Sequence, residues 1–177
     1  GALNALLPRD VAVKRVETAP ERFHSRFDAT GRTYRYTVWN RPRRSALLGR
    51  YTWHVPEPLD LEAMRDAAAT LVGTHDFAAF GRANSPTGST VRRLRRIDVR
   101  SWRGAVLLTV EGNAFLRQMV RSLVGTLVHT GKGRLTPERV RAIRESGDRG
   151  NCPPIAPAWG LCLARVDYDG QRPISDS

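Results

Sequence analysis

Lysine is nearly missing from this sequence. Of 29 basic residues in 177, only Lys14 and Lys132 are lysines, and the rest are arginines. Acidic residues are also few, 17 in all, which leaves a formal net charge of +12. Arginine-for-lysine usage can follow from the base composition of a gene, but that does not account for the net charge. A field of this sign excludes cationic partners and draws polyanions. Cysteine is scarce as well. Cys152 and Cys162 could form one pair, which is no disulfide framework, and their spacing fits no metal site. The four histidines, His24, His54, His75 and His129, are scattered, and no His/Cys/Asp group has metal-ligand spacing. These absences lead us to expect a reduced, cytoplasmic protein with no metal.

Long hydrophobic runs are missing too. A membrane span needs about 18 apolar residues, and the longest smooth segment, 115–128, is interrupted by Arg117 and Arg121. No signal peptide and no basic amphipathic tail is seen, so nucleic acid is a better partner for the charge than a membrane. The sequence has no internal repeats and no initiator methionine. It opens Gly1-Ala2-Leu3-Asn4 like mid-protein text, from which we expect a piece of a longer chain.

What is present is patterned. Residues 11–16 read as a strand, and 33–39 alternate, with Tyr34, Tyr36 and Val38 on one face. Residues 51–55 form another β-rich run, stopped by Pro56 and Pro58. Asp60 caps a helix, with Leu59 and Met64 spaced as a hydrophobic staple. Met64, Ala67, Leu71 and Val72 form its buried stripe, and Gly73 ends it. Residues 81–90 are a Gly/Ser/Pro-rich loop. Residues 97–102 and 105–111 form a hairpin turned at Arg103-Gly104. From 115 to 128, apolar pairs recur every four residues, the mark of a core helix. Thr136 caps a further helix with Pro137 at its first position; Val140 and Ile143 face inward, and Arg139, Arg141 and Arg144 outward. A last strand covers 161–168. Runs of strands without strict βα alternation predict an α+β fold, a mostly antiparallel sheet with helices packed on one face.

Four features bear on function. Arg92, Arg93, Arg95 and Arg96 crowd one segment, and Arg41, Arg43, Arg44 and Arg50 another. Such runs are either a solvated basic face or phosphate contacts, and the overall charge favours the latter. Phe23-His24-Ser25-Arg26-Phe27 interleaves rings with a cation, as a base-stacking segment does; composition alone favours an edge strand with two core phenylalanines. Tyr34 beside Arg35 is equally readable as a base-stacking ring and as a core tyrosine. Arg121, at the margin of a core helix, either meets a carboxylate or extends to solvent. No nucleophile pair, carboxylate pair or phosphate-cradling glycine loop is present, so residue patterns stop at a basic α+β nucleic-acid binder.

Whole words go further. Phe23-His24-Ser25-Arg26-Phe27-Asp28-Ala29-Thr30-Gly31-Arg32-Thr33-Tyr34-Arg35-Tyr36 resembles a signature segment of the tRNA pseudouridine synthase A family. So do Gly73-Thr74-His75-Asp76-Phe77-Ala78-Ala79-Phe80, the stretch from Gly112-Asn113-Ala114-Phe115 to Gly125, and Ala158-Trp159-Gly160-Leu161 with Val166-Asp167-Tyr168. The order and spacing match over nearly the whole chain. Leu3-Asn4-Ala5-Leu6-Leu7-Pro8 resembles the family's inter-domain stretch.

The resemblance implies an isomerase that converts uridine to pseudouridine in the anticodon arm of tRNA. It breaks the glycosidic C–N bond, turns the base and rejoins it through carbon, after flipping the nucleotide from its stack. It implies a homodimer that uses no cofactor and no metal. Residues 1–20 would be inter-domain segment and first strand, 21–170 the C-terminal RNA-binding and active-site domain, and 171–177 a disordered tail. By the same resemblance, Tyr34 packs on the flipped base, and Arg121 pairs with the catalytic carboxylate. Phe115 and Leu161 line the pocket. Phe23, His24, Ser25, Arg26 and Phe27 touch tRNA, as do Asn84, Ser85, Pro86, Thr87 and Gly88 of the next loop, with Arg92 and Arg93. One departure matters most. The family's catalytic aspartate stands in a Gly-Arg-Thr-Asp-Ala-Gly segment of an N-terminal half. Here Gly31-Arg32-Thr33 is followed by Tyr34, and no such aspartate occurs. The expectation is a half-enzyme, inactive alone. The alternative is a non-catalytic RNA-binding module.

Overall fold

The computed structural model describes residues 2–83, 85 and 87–168. The expected tail, 171–177, lies outside the described residues. Four helices run from Ala2–Leu6 (α1), Leu61–Ala69 (α2), Met119–Gly131 (α3) and Pro137–Ser146 (α4). Six strands, Ala29–Trp39 (β1), Trp53–His54 (β2), Gly73–Asp76 (β3), Val91–Trp102 (β4), Ala105–Gly112 (β5) and Leu161–Tyr168 (β6), form one sheet. Its order is β2-β1-β5-β4-β3, and β6 lies along the same edge of β1 as β2. Only the two-residue β1–β2 pairing is parallel among the described residues. The α+β expectation is met.

Strand alternation builds the core. Tyr36, Leu108 and Val99 stand in register across β1, β5 and β4, and Val38 pairs with Val106. All five are buried together with the inner faces of α2, α3 and α4. Their sequence neighbours Arg35, Thr37, Leu107 and Thr109 point to the other face and stay half-buried or exposed. Eleven of the thirteen residues of α3 are buried, so it is an interior helix, with Arg121 and His129 half-buried at its margin. Asp60 caps α2 through Oδ1, which accepts from the Glu62 and Ala63 amides at 2.9 and 3.0 Å. Thr136 caps α4, Pro137 opens it, and Gly147 closes it in the left-handed region at φ 63°. Arg103 (φ 48°) and Gly104 (φ 87°) form the two-residue turn between β4 and β5, both in the left-handed region that a tight hairpin needs.

Several expectations fail. Residues 11–16 are no strand: Asn4 occupies the place of a pairing strand, its amide donating to the Val13 carbonyl at 2.9 Å and its oxygen accepting from the Val13 amide at 2.7 Å. Residues 51–55 shrink to β2. The α2 helix stops at Ala69, where the Thr70 hydroxyl bonds back to the Ala67 carbonyl. Gly73 therefore opens β3 at φ 118° instead of ending a helix, and Val72 is exposed. The strand expected at 97–102 starts at Val91, because a bulge between Leu94 and Arg96 breaks its alternation. The α3 helix starts at Met119, because Gln118 before it sits in the left-handed region at φ 66°. Arg144 turns inward, donating to the Thr70 carbonyl and to His75. Cys152 and Cys162 do not pair.

Candidate active site and nucleic-acid interface

A pocket of about 160 Å³ opens where β1 and β6 meet the start of α3. Tyr34 and Leu161 enter from the strands, Phe115, Leu116 and Gln118 from the segment leading into α3, and Val120 and Arg121 from its first turn. Tyr34, Phe115, Leu161 and Arg121, which stand far apart in sequence, thus converge. Tyr34 meets Phe115 edge-on, with ring centroids 5.1 Å apart at 86°. The two rings fix one wall of the pocket.

Arg121 is held from behind. Its Nε donates to the Ala156 carbonyl at 2.6 Å, and the Ala156 amide donates back to the Arg121 carbonyl at 3.1 Å. Among the described residues, no carboxylate forms an ion pair with it. The terminal nitrogens of its guanidinium thus keep a charge that an incoming anion can pair with bidentately. Tyr36 lies beneath, its hydroxyl donating to the Pro157 carbonyl at 2.7 Å. Burial pushes this phenol well above its usual range, and the Arg121 charge only partly opposes that. Tyr36 is therefore a structural anchor. Gly160 and Gly125 let the 153–160 loop close on these groups: a Cβ on Gly160 would strike the Tyr36 ring, and one on Gly125 the Pro154 carbonyl oxygen.

Tyr34 and Phe115 also line a wider cleft of about 760 Å³, with Arg26, Phe27, Arg32, Arg92 and Asn113 around it. The two cavities share a wall. Arg32 spends its guanidinium on three carbonyls, those of Ala29 (2.9 Å), Asn113 (2.7 Å) and Arg26 (2.5 Å). It pins the 23–28 loop to the sheet, a role sequence reading missed because the Gly31-Arg32-Thr33 match drew attention only as a mimic. Arg92 bonds the Ser89 and Val91 carbonyls through Nη1, while its Nε is buried with no partner among the described residues.

The 23–27 segment is a string of turns, so the edge-strand alternative fails. His24 Nδ1 accepts from the Arg26 and Phe27 amides at 3.2 and 3.3 Å, which ties the loop. Phe27 is 74% exposed, tilted against His24 with the Arg26 guanidinium over its ring. Phe23 packs edge-on against Tyr168, whose hydroxyl donates to the Ser25 carbonyl. Phe27 and Arg26 reach the cleft, whereas Phe23, His24 and Ser25 support them from behind. Arg93 does not line the cleft; its backbone is engaged with Asn113. Ser85, Thr87 and Gly88 bond one another and line neither cavity. Asn84 and Pro86 lie outside the described residues. Asn113 and Gln118 were missed as site residues, although both stand inside the segment that carries the resemblance.

The α+β fold thus carries a small aromatic pocket with a guanidinium in its wall, adjoining a wider arginine-lined cleft. Comparison with known proteins narrows this. The family profile described as tRNA pseudouridine synthase matches residues 67–169. The chain is 44% identical over 169 residues to tRNA pseudouridine synthase A of Syntrophotalea carbinolica, covering 96% of this chain and 67% of that protein. It is 44% identical over 166 residues to its counterpart in Geotalea uraniireducens, covering 94% and 68%. Against that of Solidesulfovibrio magneticus it is 46% identical over 172 residues, covering 94% and 63%. The chain belongs to the tRNA pseudouridine synthase family. No helix among the described residues is long and apolar enough to cross a membrane.

Proposed function

We propose that this chain provides the RNA-binding surface and one half of the active site of a cytoplasmic, homodimeric tRNA pseudouridine synthase acting on the anticodon arm. The observation that carries this reading is the convergence of Tyr34 and Arg121 on one pocket at the mouth of the basic cleft. In it, Arg26, Phe27 and Arg92 hold the tRNA, and a uridine leaves its stack to pack on Tyr34, closed in by Phe115 and Leu161. Arg121 pairs with the carboxylate that attacks the nucleoside. Its clasp with Ala156 keeps the cation in place before the carboxylate arrives, which favours the ionised form of that acid. The isomerisation moves no net electrons and needs no cofactor. The 177 residues contain no Gly-Arg-Thr-Asp segment, so the aspartate comes from another segment and the isolated chain is inactive. Residues 1–20 act as the inter-domain connection.

The test measures tRNA binding across a salt series and pseudouridine formation, first by this chain alone and then with a protein segment that carries Gly-Arg-Thr-Asp. Affinity should fall linearly in log–log form with salt, and product should form only with the added segment. Salt-insensitive binding, or turnover by the 177 residues alone, overturns the reading.

A further inference from the structure

Toward the other end of β1 from the basic cleft lies a third cavity, of about 700 Å³. Trp39, Trp53 and Trp159 line it, with Arg44, His54 and Thr52. β1 connects the two places: Ala29 lines the cleft and Trp39 the cavity. At 3.2–3.4 Å per residue, Trp39 lies roughly 30 Å along the strand from Ala29 and about 17 Å from Tyr34, the near wall of the cleft. The three indoles come from three segments that the sheet gathers. Trp53 follows β1 in parallel beside Val38, and Trp159 precedes Gly160, whose carbonyl accepts from the Thr37 amide.

The cavity is built, not incidental. Trp39 Nε1 donates to the Arg43 carbonyl at 2.9 Å, and His54 Nε2 lies 2.9 Å from the Arg41 carbonyl, so two of its lining rings hold the arginine loop in place. Trp53 rests edge-on against buried Tyr36. Trp159 is 57% exposed. Residues 40–55 carry Arg41, Arg43, Arg44 and Arg50, all exposed, and no acidic residue. Glu57, the next carboxylate in sequence, is engaged by Lys132.

This chemistry discriminates among occupants. A second copy of the chain, itself at +12, would bring like charge to four unneutralised guanidiniums. A polyanion bearing flat rings matches both features at once, rings on the indoles and phosphates on the arginines. We infer that this cavity is a second contact for the RNA, taking an unpaired base against Trp159 with its flanking phosphates on Arg44 and its neighbours. The inference rests on the RNA-binding reading above and adds to it a bound RNA long enough to reach both ends of the sheet.

The test uses this chain and full-length tRNA, with Trp159→Ala and Arg44→Ala in the cavity and Arg92→Ala in the cleft as the comparison. Loss of a stacked base should weaken binding about five- to hundred-fold for Trp159→Ala. Arg44→Ala should lower the slope of log affinity against log salt by about 0.7–0.9. Both side chains are exposed, so thermal melts should match the parent. If Arg92→Ala weakens binding while both cavity variants bind like the parent with unchanged slope, the second contact does not exist. Cavity variants that change sedimentation of the free protein but not RNA affinity would assign the surface to a second copy instead. If none of the three variants changes binding, the RNA-binding reading itself fails, and the second contact fails with it.

Discussion

Arg121 and Ala156 grip each other in both directions, side chain to carbonyl at 2.6 Å and amide to carbonyl at 3.1 Å. One pair of residues thereby closes the proline-rich loop over α3 and aims a cation into the pocket. Arg121→Lys keeps the charge but has no Nε in the guanidinium plane to bond Ala156 while its tip faces the pocket. We expect it to cost about 1–3 kcal/mol of stability, the penalty for a half-buried carbonyl left unpaired. Urea denaturation checks this, and an unchanged midpoint would show that the clasp contributes nothing.

The same loop sets a second expectation at Gly125. A methyl there would run into the Pro154 carbonyl oxygen, a backbone atom that cannot swing away. Gly125→Ala should destabilise the fold by about 1–3 kcal/mol through overpacking, against the usual gain from replacing a helical glycine. A rise in melting temperature would mean that the loop yields freely.

Tyr36 offers a gentler probe of that closure. Tyr36→Phe deletes the bond to the Pro157 carbonyl (2.7 Å) and little else. The expected loss is about 1 kcal/mol, measured by chemical denaturation, with no change in the sheet's circular dichroism. No loss would mean that water replaces the hydroxyl.

How far these features could be read from residues alone depends on the range of the interaction. The caps of α2 and α4 were legible because Asp60, Thr136 and Pro137 act within one turn of themselves. The Arg103-Gly104 turn was legible for the same reason. Two of the failures were non-local. Residues 11–16 carry strand-like composition, yet a single side chain, Asn4, takes the pairing partner's place. Arg144 follows the outward pattern of its helix, but Thr70 and His75 on another part of the chain draw it in. The pocket shows both cases together. Tyr34 and Arg121 were named through the family resemblance, whereas Ala156, which fixes the arginine, bonds through its backbone and leaves no mark in the sequence.

Acid should weaken the fold through His129. Burial lowers its affinity for a proton, and Arg134 and Lys132 act the same way. The folded form thus titrates below the ordinary value of about 6.5. Between that value and the lower folded one, the unfolded chain binds the extra proton, so stability falls as pH drops through this window and is fully present above it. Unfolding free energies at pH 7.5 and 5.5 should differ in that direction, and His129→Gln should reduce the difference. A pH dependence identical in the variant would remove His129 from the account.

The two phenylalanines of the 23–27 segment should separate packing from binding. They look alike in sequence, yet Phe27 is 74% exposed at the cleft, while Phe23 rests against Tyr168 behind it. Phe27→Ala removes a ring that buries little, so its stability should stay within about 0.5 kcal/mol of the parent. Its tRNA affinity should fall by at least about five-fold, the loss of one stacked base. Phe23→Ala should do the reverse in order: it loosens the contact with Tyr168, lowers stability first, and weakens binding only as the loop frays. Thermal melts beside salt-matched binding curves read both effects. Equal behaviour of the two variants in both measurements would mean that the loop acts as a unit and that the exposed ring has no separate part in holding RNA.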